Sequence, residues 1–209
     1  ALLEGQGFKT LLNRMAGHGA RTRSSSGGGT VMSAAATPSA GPPPAEQIAV
    51  DRSQYETVVT EEALDRWIAE ARAQGFVAVD TETDCIDCVV AKLAGISLAT
   101  QPNRACYIPV GHSGVDMFAE APEQLPLELV TAKLKPLLED SAVLKIGHNL
   151  KYDQTIFFKY GISLAPIDDT MLMSFALDAE RGVSGHGMDE LARQNFEHEC
   201  LPFKSVCGT

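Results

Sequence analysis

The segment FVAVDTETD, residues 76–84, constrains this chain more than any other part of its sequence. The four apolar residues at 76–79 are typical of a buried β-strand, and they lead directly into Asp80, Thr81 and Glu82. Asp80 and Glu82 are two positions apart, so on an extended chain both side chains point to the same face. Two like charges side by side are unfavourable unless a cation lies between them, or unless the strand ends there and both face water. This segment alone leaves both interpretations open.

The composition indicates one folded domain with irregular ends. The chain has 209 residues, of which 44% are hydrophobic and 21% are charged, enough for one sizeable core. No apolar run approaches the length of a membrane span, and the first residues lack the basic region, apolar core and cleavage site of a secretory signal. The net charge of −10 argues against binding nucleic acid by broad neutralisation of phosphates. It is compatible with a site where metal ions meet the phosphate.

The cysteines favour a reduced, cytoplasmic protein. There are five, an odd number, and the single Cys-x-x-Cys pair, Cys85 and Cys88, has no second pair at zinc spacing. We therefore expect neither a disulfide framework nor a structural zinc site.

The chain divides into three parts by composition. Residues 1–14 carry a short apolar pattern at helical spacing, whereas residues 15–47 are mostly Gly, Ser, Ala, Thr and Pro, which predicts a flexible linker. A globular pattern begins at Tyr55 and continues to residue 209. The chain starts without Met and stops within a pattern, so we expect it to be a piece of a longer protein.

Hydrophobic periodicity predicts an α/β domain. A helix is expected to open at Thr60 and stop at Gly75, because both positions carry capping residue types. The other expected elements are strands at 57–59, 76–80, 92–100, 104–110 and 142–147, and helices at about 126–139, 150–159, 169–178 and 188–196. Adjacent strands followed by alternating helices and strands indicate a mixed sheet with helices packed on it. The aromatic and aliphatic residues Phe157, Phe158, Leu172 and Phe175 are expected in the core.

A second acidic segment, LKIGHNLKYD at 144–153, has the same organisation as the first. A short apolar strand turns at Gly147 and leads into a helix with Asp153 on its first turns, where α/β sheets commonly place their chemistry. Asn149, Lys151 and Tyr152 place an amide, a cation and an aromatic ring beside the acid, a mixture suited to a nucleotide end. Taken alone, Asp153 is explained equally well by the helix dipole.

Three motifs in this order resemble a known family. DTETD at 80–84, NLKYD at 149–153 and DDTML at 168–172 are similar to the motifs of the proofreading 3′→5′ exonuclease domain of bacterial family A DNA polymerases, the DNA polymerase I type. The resemblance covers residues 55–209. Residues 1–14 resemble the end of the 5′ nuclease region that precedes this domain in those polymerases.

The resemblance implies a ribonuclease-H-like fold, a mixed β-sheet flanked by helices, that removes nucleotides from a DNA 3′ end with two Mg²⁺ or Mn²⁺ ions. It assigns Asp80, Glu82 and Asp153 as catalytic metal ligands. The implied substrate-binding residues are Thr83, Ile86, Asn149, Lys151, Tyr152 and Phe203. The expected partners are the polymerase and 5′ nuclease domains of one parent chain, in the bacterial cytoplasm at the nucleoid and without a membrane.

The family also has a third motif, Tyr-x-x-x-Asp, which does not occur after Asp153. We expect the chain to stop before that motif, so that this fragment alone has little or no activity while the parent is active. Asp169 is expected to cap or brace the following helix, and His148, His186 and His198 to be hydrogen-bonded rather than to ligate metal. Two alternatives stay open: a catalytically silent scaffold between the nuclease and polymerase domains, and an RNA-trimming nuclease of the same fold.

Overall fold

The computed structural model describes residues 50–113, 121–178 and 185–202, together with Ser205. The expected 5′ nuclease remnant at 1–14, the expected linker at 15–47 and Phe203 lie outside the described residues.

The described part of the chain alternates strands and helices after a short 3₁₀ turn at Arg52–Gln54. The strands are β1 (Glu56–Thr57), β2 (Phe76–Thr83), β3 (Leu93–Gln101), β4 (Arg104–Pro109), β5 (Leu144–Gly147) and β6 (Ile167–Asp169). The helices are α1 (Glu61–Gln74), α2 (Leu127–Leu138), α3 (Lys151–Lys159), α4 (Thr170–Asp178) and α5 (Met188–Phe196). None of these helices combines the length and apolarity needed to cross a bilayer.

The six strands form one mixed sheet in the order β1-β4-β3-β2-β5-β6. Strands β2, β3 and β4 are antiparallel neighbours, whereas β1, β5 and β6 each join the sheet in parallel. The predicted α/β class and the antiparallel pairing of the segments at 92–100 and 104–110 are confirmed. Strand β2 lies near the centre of the sheet: β5 pairs with its residues 76–78, whereas its acidic half pairs with β3.

Helix α1 forms where local capping signals predict it. The Thr60 hydroxyl accepts a hydrogen bond from the Ala63 amide at 3.3 Å, and Gly75 ends the helix with φ of 75°. Leu64, Trp67 and other apolar residues of this helix are fully buried against the sheet. Because Phe76 follows the Gly75 cap at once, the position of α1 also fixes where β2 begins.

Two predictions about the fold are wrong in detail. Strand β2 does not stop at Asp80 but continues to Thr83, because its backbone stays paired with β3 through Glu82. The side chains of Phe158, Leu172 and Phe175 are 74%, 62% and 49% exposed, although all three were expected in the core. Phe157 is fully buried, and its neighbour Phe158 points elsewhere because successive helical residues are rotated by roughly 100°.

Candidate active site

Strand β2 presents its two carboxylates on one face. Val77, Val79 and Thr81 are buried, whereas Asp80 and Glu82 alternate with them and are exposed. The expectation that Asp80 and Glu82 share a face is therefore confirmed. They do not sit beyond the strand end, so a strand that merely stops and exposes its last charges to water does not explain them.

Asp153 lies beside this strand because its carboxylate is bonded to it. The Oδ1 atom of Asp153 accepts a hydrogen bond from the Thr81 amide at 2.9 Å and a second from the Thr81 hydroxyl at 2.6 Å. Asp153 is 3% exposed and stands on the first turn of α3. These two bonds join α3 to the acidic half of β2 and bring the third predicted carboxylate to the other two.

The three carboxylates influence one another electrostatically. Burial by the surrounding protein, followed by the charges of Asp153 and Glu82, raises the pKa of Asp80 to about 6, although its side chain is partly open to solvent. Burial also raises the pKa of Asp153, against the opposing effect of its hydrogen bonds from Thr81. The negative charge of the Asp80 carboxylate is therefore disfavoured unless a cation neutralises it.

Within the described residues, no Lys or Arg forms an ion pair with Asp80, Glu82 or Asp153. The same residues contain no three His, Cys, Asp or Glu side chains that are already arranged to hold a metal ion. The donor chemistry nevertheless suits a hard divalent cation, since carboxylate oxygens are the ligands that Mg²⁺ and Mn²⁺ prefer. The site therefore has oxygen donors suited to Mg²⁺ or Mn²⁺, but they are not arranged around an ion position in the described residues.

Tyr152 connects α3 to the loop that follows β2. Its hydroxyl donates to the Cys85 carbonyl at 2.8 Å and lies 2.6 Å from Oγ1 of Thr83. Thr83 also donates to the Cys85 carbonyl, at 3.0 Å. Ile86, which follows Cys85 in the sequence, is 94% exposed, which is unusual for a large apolar side chain. Of the expected substrate-binding residues, Thr83, Ile86 and Tyr152 therefore lie together at one end of β2.

The turn before α3 depends on Asp169. Its carboxylate accepts hydrogen bonds from the amides of Asn149 at 3.0 Å and Leu150 at 2.9 Å, and from Met171 at 2.9 Å. Burial alone would raise the pKa of Asp169, but these backbone donors outweigh it and the pKa is lowered. The prediction that Asp169 caps the following helix is confirmed. Its bonds also hold Asn149 in a left-handed conformation, with φ of 64°.

Lys151 opens helix α3 and is exposed. A cation is unfavourable at a helix amino terminus, where the helix dipole favours negative charge. The Asp169 carboxylate already supplies a negative charge at this terminus, through its bonds from the Asn149 and Leu150 amides. What suits a bound anion here is therefore the exposed Lys151 side chain itself.

Thr81, which the sequence did not single out, and His148, which was not expected to ligate metal, both lie at the site. Thr81 anchors Asp153 but looks in the sequence like a spacer between two acids. His148 donates or accepts through Nδ1 with the Thr170 hydroxyl at 2.9 Å, as expected for a hydrogen-bonded histidine, whereas its buried Nε2 has no partner in the described part of the chain. His148 lines a groove of about 240 Å³ that it shares with Asp80 and with Met188.

Comparison with known proteins gives the family of this chain. Residues 55–207 match the family model described as 3′-5′ exonuclease. DNA polymerase I of Rhizobium leguminosarum is 44% identical over 172 residues, which cover 76% of this chain and 17% of that protein. The chain thus spans about a sixth of the length of this curated relative.

Two solved structures share the fold at low sequence identity. Escherichia coli RNase D, an exoribonuclease involved in structured RNA processing, has a TM-score of 0.53 at 20% identity, covering 73% of this chain and 36% of that one. Brucella melitensis NrnC with bound Mg²⁺ has a TM-score of 0.51 at 18% identity, covering 71% of this chain and 63% of that one. The expected ribonuclease-H-like fold is confirmed. By its family match, the chain belongs to the 3′-5′ exonuclease family.

Proposed function

We propose that this domain hydrolyses the terminal phosphodiester at the 3′ end of DNA and proofreads for a DNA polymerase I. The observation that carries the proposal is the Asp80 carboxylate, on which the charges of Asp153 and Glu82 act and which, within the described residues, has no cationic partner. Burial first, and then these two charges, raise the pKa of Asp80 to about 6. Perturbed carboxylates in a cleft are typical of sites that bind metal or move protons.

The proposed metal ligands are Asp80, Glu82 and Asp153, which would hold two Mg²⁺ or Mn²⁺ ions. When bound, such a pair supplies Lewis-acid activation of water and stabilises the leaving 3′ oxygen. The chain's own part is to hold the oxygens in place: β2 orients Asp80 and Glu82, and Thr81 fixes the Asp153 carboxylate from a rigid strand. An acidic site also repels phosphate unless its charge is neutralised, which gives the metal a second role.

The same face offers contacts for the terminal nucleotides. Lys151, an exposed cation at the amino terminus of α3, is proposed to meet a phosphate. Ile86, exposed beside Thr83 and Tyr152, is placed to pack against a base. Asn149 precedes the helix on the same turn. Phe203 keeps its proposed role of packing near the terminal base on the resemblance alone.

The proposal assigns the domain to a parent polymerase, meaning a longer chain that also carries polymerase and 5′ nuclease domains in a bacterial cytoplasm, at the nucleoid. The identity to the Rhizobium leguminosarum polymerase supports this assignment. The silent-scaffold alternative is disfavoured because all three carboxylates are present and the charges of Asp153 and Glu82 act on Asp80. The RNA-trimming alternative has support from the fold only, through the likeness to RNase D.

The test replaces Asp80 or Asp153 by Asn in the parent polymerase and measures release of nucleotides from labelled single-stranded DNA and RNA. We expect each variant to lose trimming by orders of magnitude while synthesis continues, because a lost metal ligand acts mainly on the transition state. Asp65→Asn is the matched control, since Asp65 is exposed on α1 and pairs with Lys133 away from the site. Near-parental trimming by Asp80→Asn would overturn the proposal. Faster trimming of RNA than of DNA by the parent would favour the RNA alternative.

A further inference from the structure

Tyr107 on β4 belongs to the same sheet face as the carboxylates. It pairs with Ser97 on β3, which in turn pairs with Asp80 on β2. Residues directly opposite one another in a sheet point to the same side, so this row places Tyr107 two strands from Asp80 on the acidic face.

The phenol of Tyr107 does not stand above its own strand but lies over Gly95. Its hydroxyl and part of its ring occupy the space that a Cβ on Gly95 would need. Gly95 is the direct register partner of Glu82. Because the Cβ positions of directly opposite residues are neighbours on one face of a sheet, the Tyr107 hydroxyl lies beside the Cβ of Glu82. The carboxylate of a glutamate extends far enough to accept a hydrogen bond across that gap.

His112 holds the phenol in this place. Its Nε2 atom is 2.7 Å from the Tyr107 hydroxyl, and the two rings meet edge to face at 5.7 Å between centroids. The main chain of His112 is fixed in turn by Gln124, which accepts from the His112 amide at 3.0 Å and donates to the His112 carbonyl at 2.9 Å. The hydroxyl is therefore preorganised and needs no further ordering.

The electrostatics agree with this placement. Burial, and then the charge of Glu82, raises the pKa of Tyr107, so the two side chains are close enough to interact. Within the described residues, no hydrogen bond to Glu82 is formed, so its carboxylate is open to a donor. The register places the Tyr107 phenol on the same face as Glu82, over the residue that pairs with it.

We propose that Tyr107 is a positioning residue for Glu82: with His112 donating from Nε2 to the phenol oxygen, the phenol hydrogen is free to bond the Glu82 carboxylate and fix its orientation. The inference deepens the proposed function, on which it rests, because that function makes Glu82 a metal ligand. The pair of Tyr107 and His112 then supplies the second layer of contacts that orients a metal-binding carboxylate.

The first experiment compares Tyr107→Phe with Tyr160→Phe in the parent polymerase, using a labelled single-stranded DNA. Tyr160 is the matched control because its hydroxyl also makes one bond, accepting from the Leu93 amide at 3.4 Å. We expect Tyr107→Phe to lower kcat roughly tenfold, as for a lost bond to a charged group, with KM for DNA unchanged. We expect Tyr160→Phe to keep the parental kcat. In addition, His112→Gln retains a donor and should keep more activity than His112→Leu.

The second experiment needs no turnover. Thermal unfolding of the 209-residue chain is followed against Mn²⁺ concentration, and the midpoint of the Mn²⁺-induced rise in Tm should be several-fold higher in Tyr107→Phe. A parental kcat and Mn²⁺ midpoint in Tyr107→Phe, beside a large loss in Glu82→Gln, would overturn this inference and leave the proposed function standing. Parental activity in Glu82→Gln would overturn both. A Tm loss in Tyr107→Phe with no change in kcat or in the Mn²⁺ midpoint would show a structural role only.

Discussion

Thr81 donates two hydrogen bonds to one oxygen of Asp153, from its amide at 2.9 Å and from its hydroxyl at 2.6 Å. The two residues are 72 positions apart in sequence. This contact makes the strand itself the support for the carboxylate, so the third acid of the site is as rigid as the sheet. Both partners are buried, which strengthens each bond relative to one in water.

The hydroxyl bond can be removed while the shape of the residue is kept. In Thr81→Val, we expect a loss of about 1–3 kcal/mol in the free energy of unfolding, because a buried carboxylate loses one of its two donors from this residue. Exonuclease activity should fall in the same variant, since Asp153 is less firmly oriented. Chemical denaturation and a trimming assay measure the two effects. Thr81→Ser restores the hydroxyl and should recover most of the activity, and equal activity in the Val and Ser variants would contradict the orienting role.

Asp169 has a different role from the other acids, and a substitution should reveal it. It accepts from the amides of Asn149, Leu150 and Met171 and stabilises two helix starts at once. We expect Asp169→Ala to reduce the free energy of unfolding by about 2–4 kcal/mol, as several buried amides lose their acceptor. Asp168→Ala, at the neighbouring half-buried position, is the control and should cost much less. If urea denaturation gave equal losses for the two variants, the bracing role would be wrong.

The raised pKa of Asp80 predicts how the stability of the domain depends on pH. Its folded pKa of about 6 lies above its usual 3.8, so the folded state favours the protonated acid. The contribution of Asp80 to stability is therefore fully present below about pH 4 and is lost as the pH rises through 6. In EDTA at pH 7, Asp80→Asn should have a higher Tm than the unsubstituted chain, and the difference should vanish near pH 4. A Tm difference independent of pH would contradict the repulsion among the carboxylates.

A divalent metal ion should reverse the order of the Tm values of Asp80→Asn and the unsubstituted chain. At pH 7, Mg²⁺ or Mn²⁺ should raise the Tm of the unsubstituted chain more than that of Asp80→Asn, because a bound cation stabilises the charged carboxylates and the variant lacks one. Removing the metal with EDTA should restore the original order. An equal metal effect on the Tm of both chains would place the binding elsewhere.

The parts of the fold that could be predicted from sequence are those with local signals. Helix α1 was predictable because the Thr60 cap and the Gly75 terminator each act within one helical turn. The shared face of Asp80 and Glu82 follows from the two-residue period of any strand. The three-residue strand β6 was missed because it forms only by pairing with β5, and a segment that short has no periodicity of its own.

What the sequence could not show depends on residues far apart. The bonds from Thr81 to Asp153 need β2 and α3 to be packed first, so nothing in DTETD marks the threonine. The exposure of Phe158 was mispredicted because helical spacing identifies an apolar face only when the neighbouring element is known. The position of the Tyr107 phenol likewise follows from the register of three strands.

Gly95 offers a last test, because the Tyr107 ring requires the absence of a side chain there. In Gly95→Ala the new methyl group would collide with the phenol, so either the ring or the β3 backbone must move. We expect a loss of about 1–3 kcal/mol in the free energy of unfolding, typical of overpacking, together with a fall in exonuclease kcat similar to that of Tyr107→Phe.

The double variant Gly95→Ala/Tyr107→Leu separates the two effects. Removing the ring relieves the collision, so its stability should exceed that of Gly95→Ala, whereas its kcat should stay low because Glu82 has no phenol to bond. Denaturation midpoints and single-turnover trimming measure both. Recovery of the parental kcat in the double variant would show that the phenol over Gly95 fills space and does nothing for Glu82.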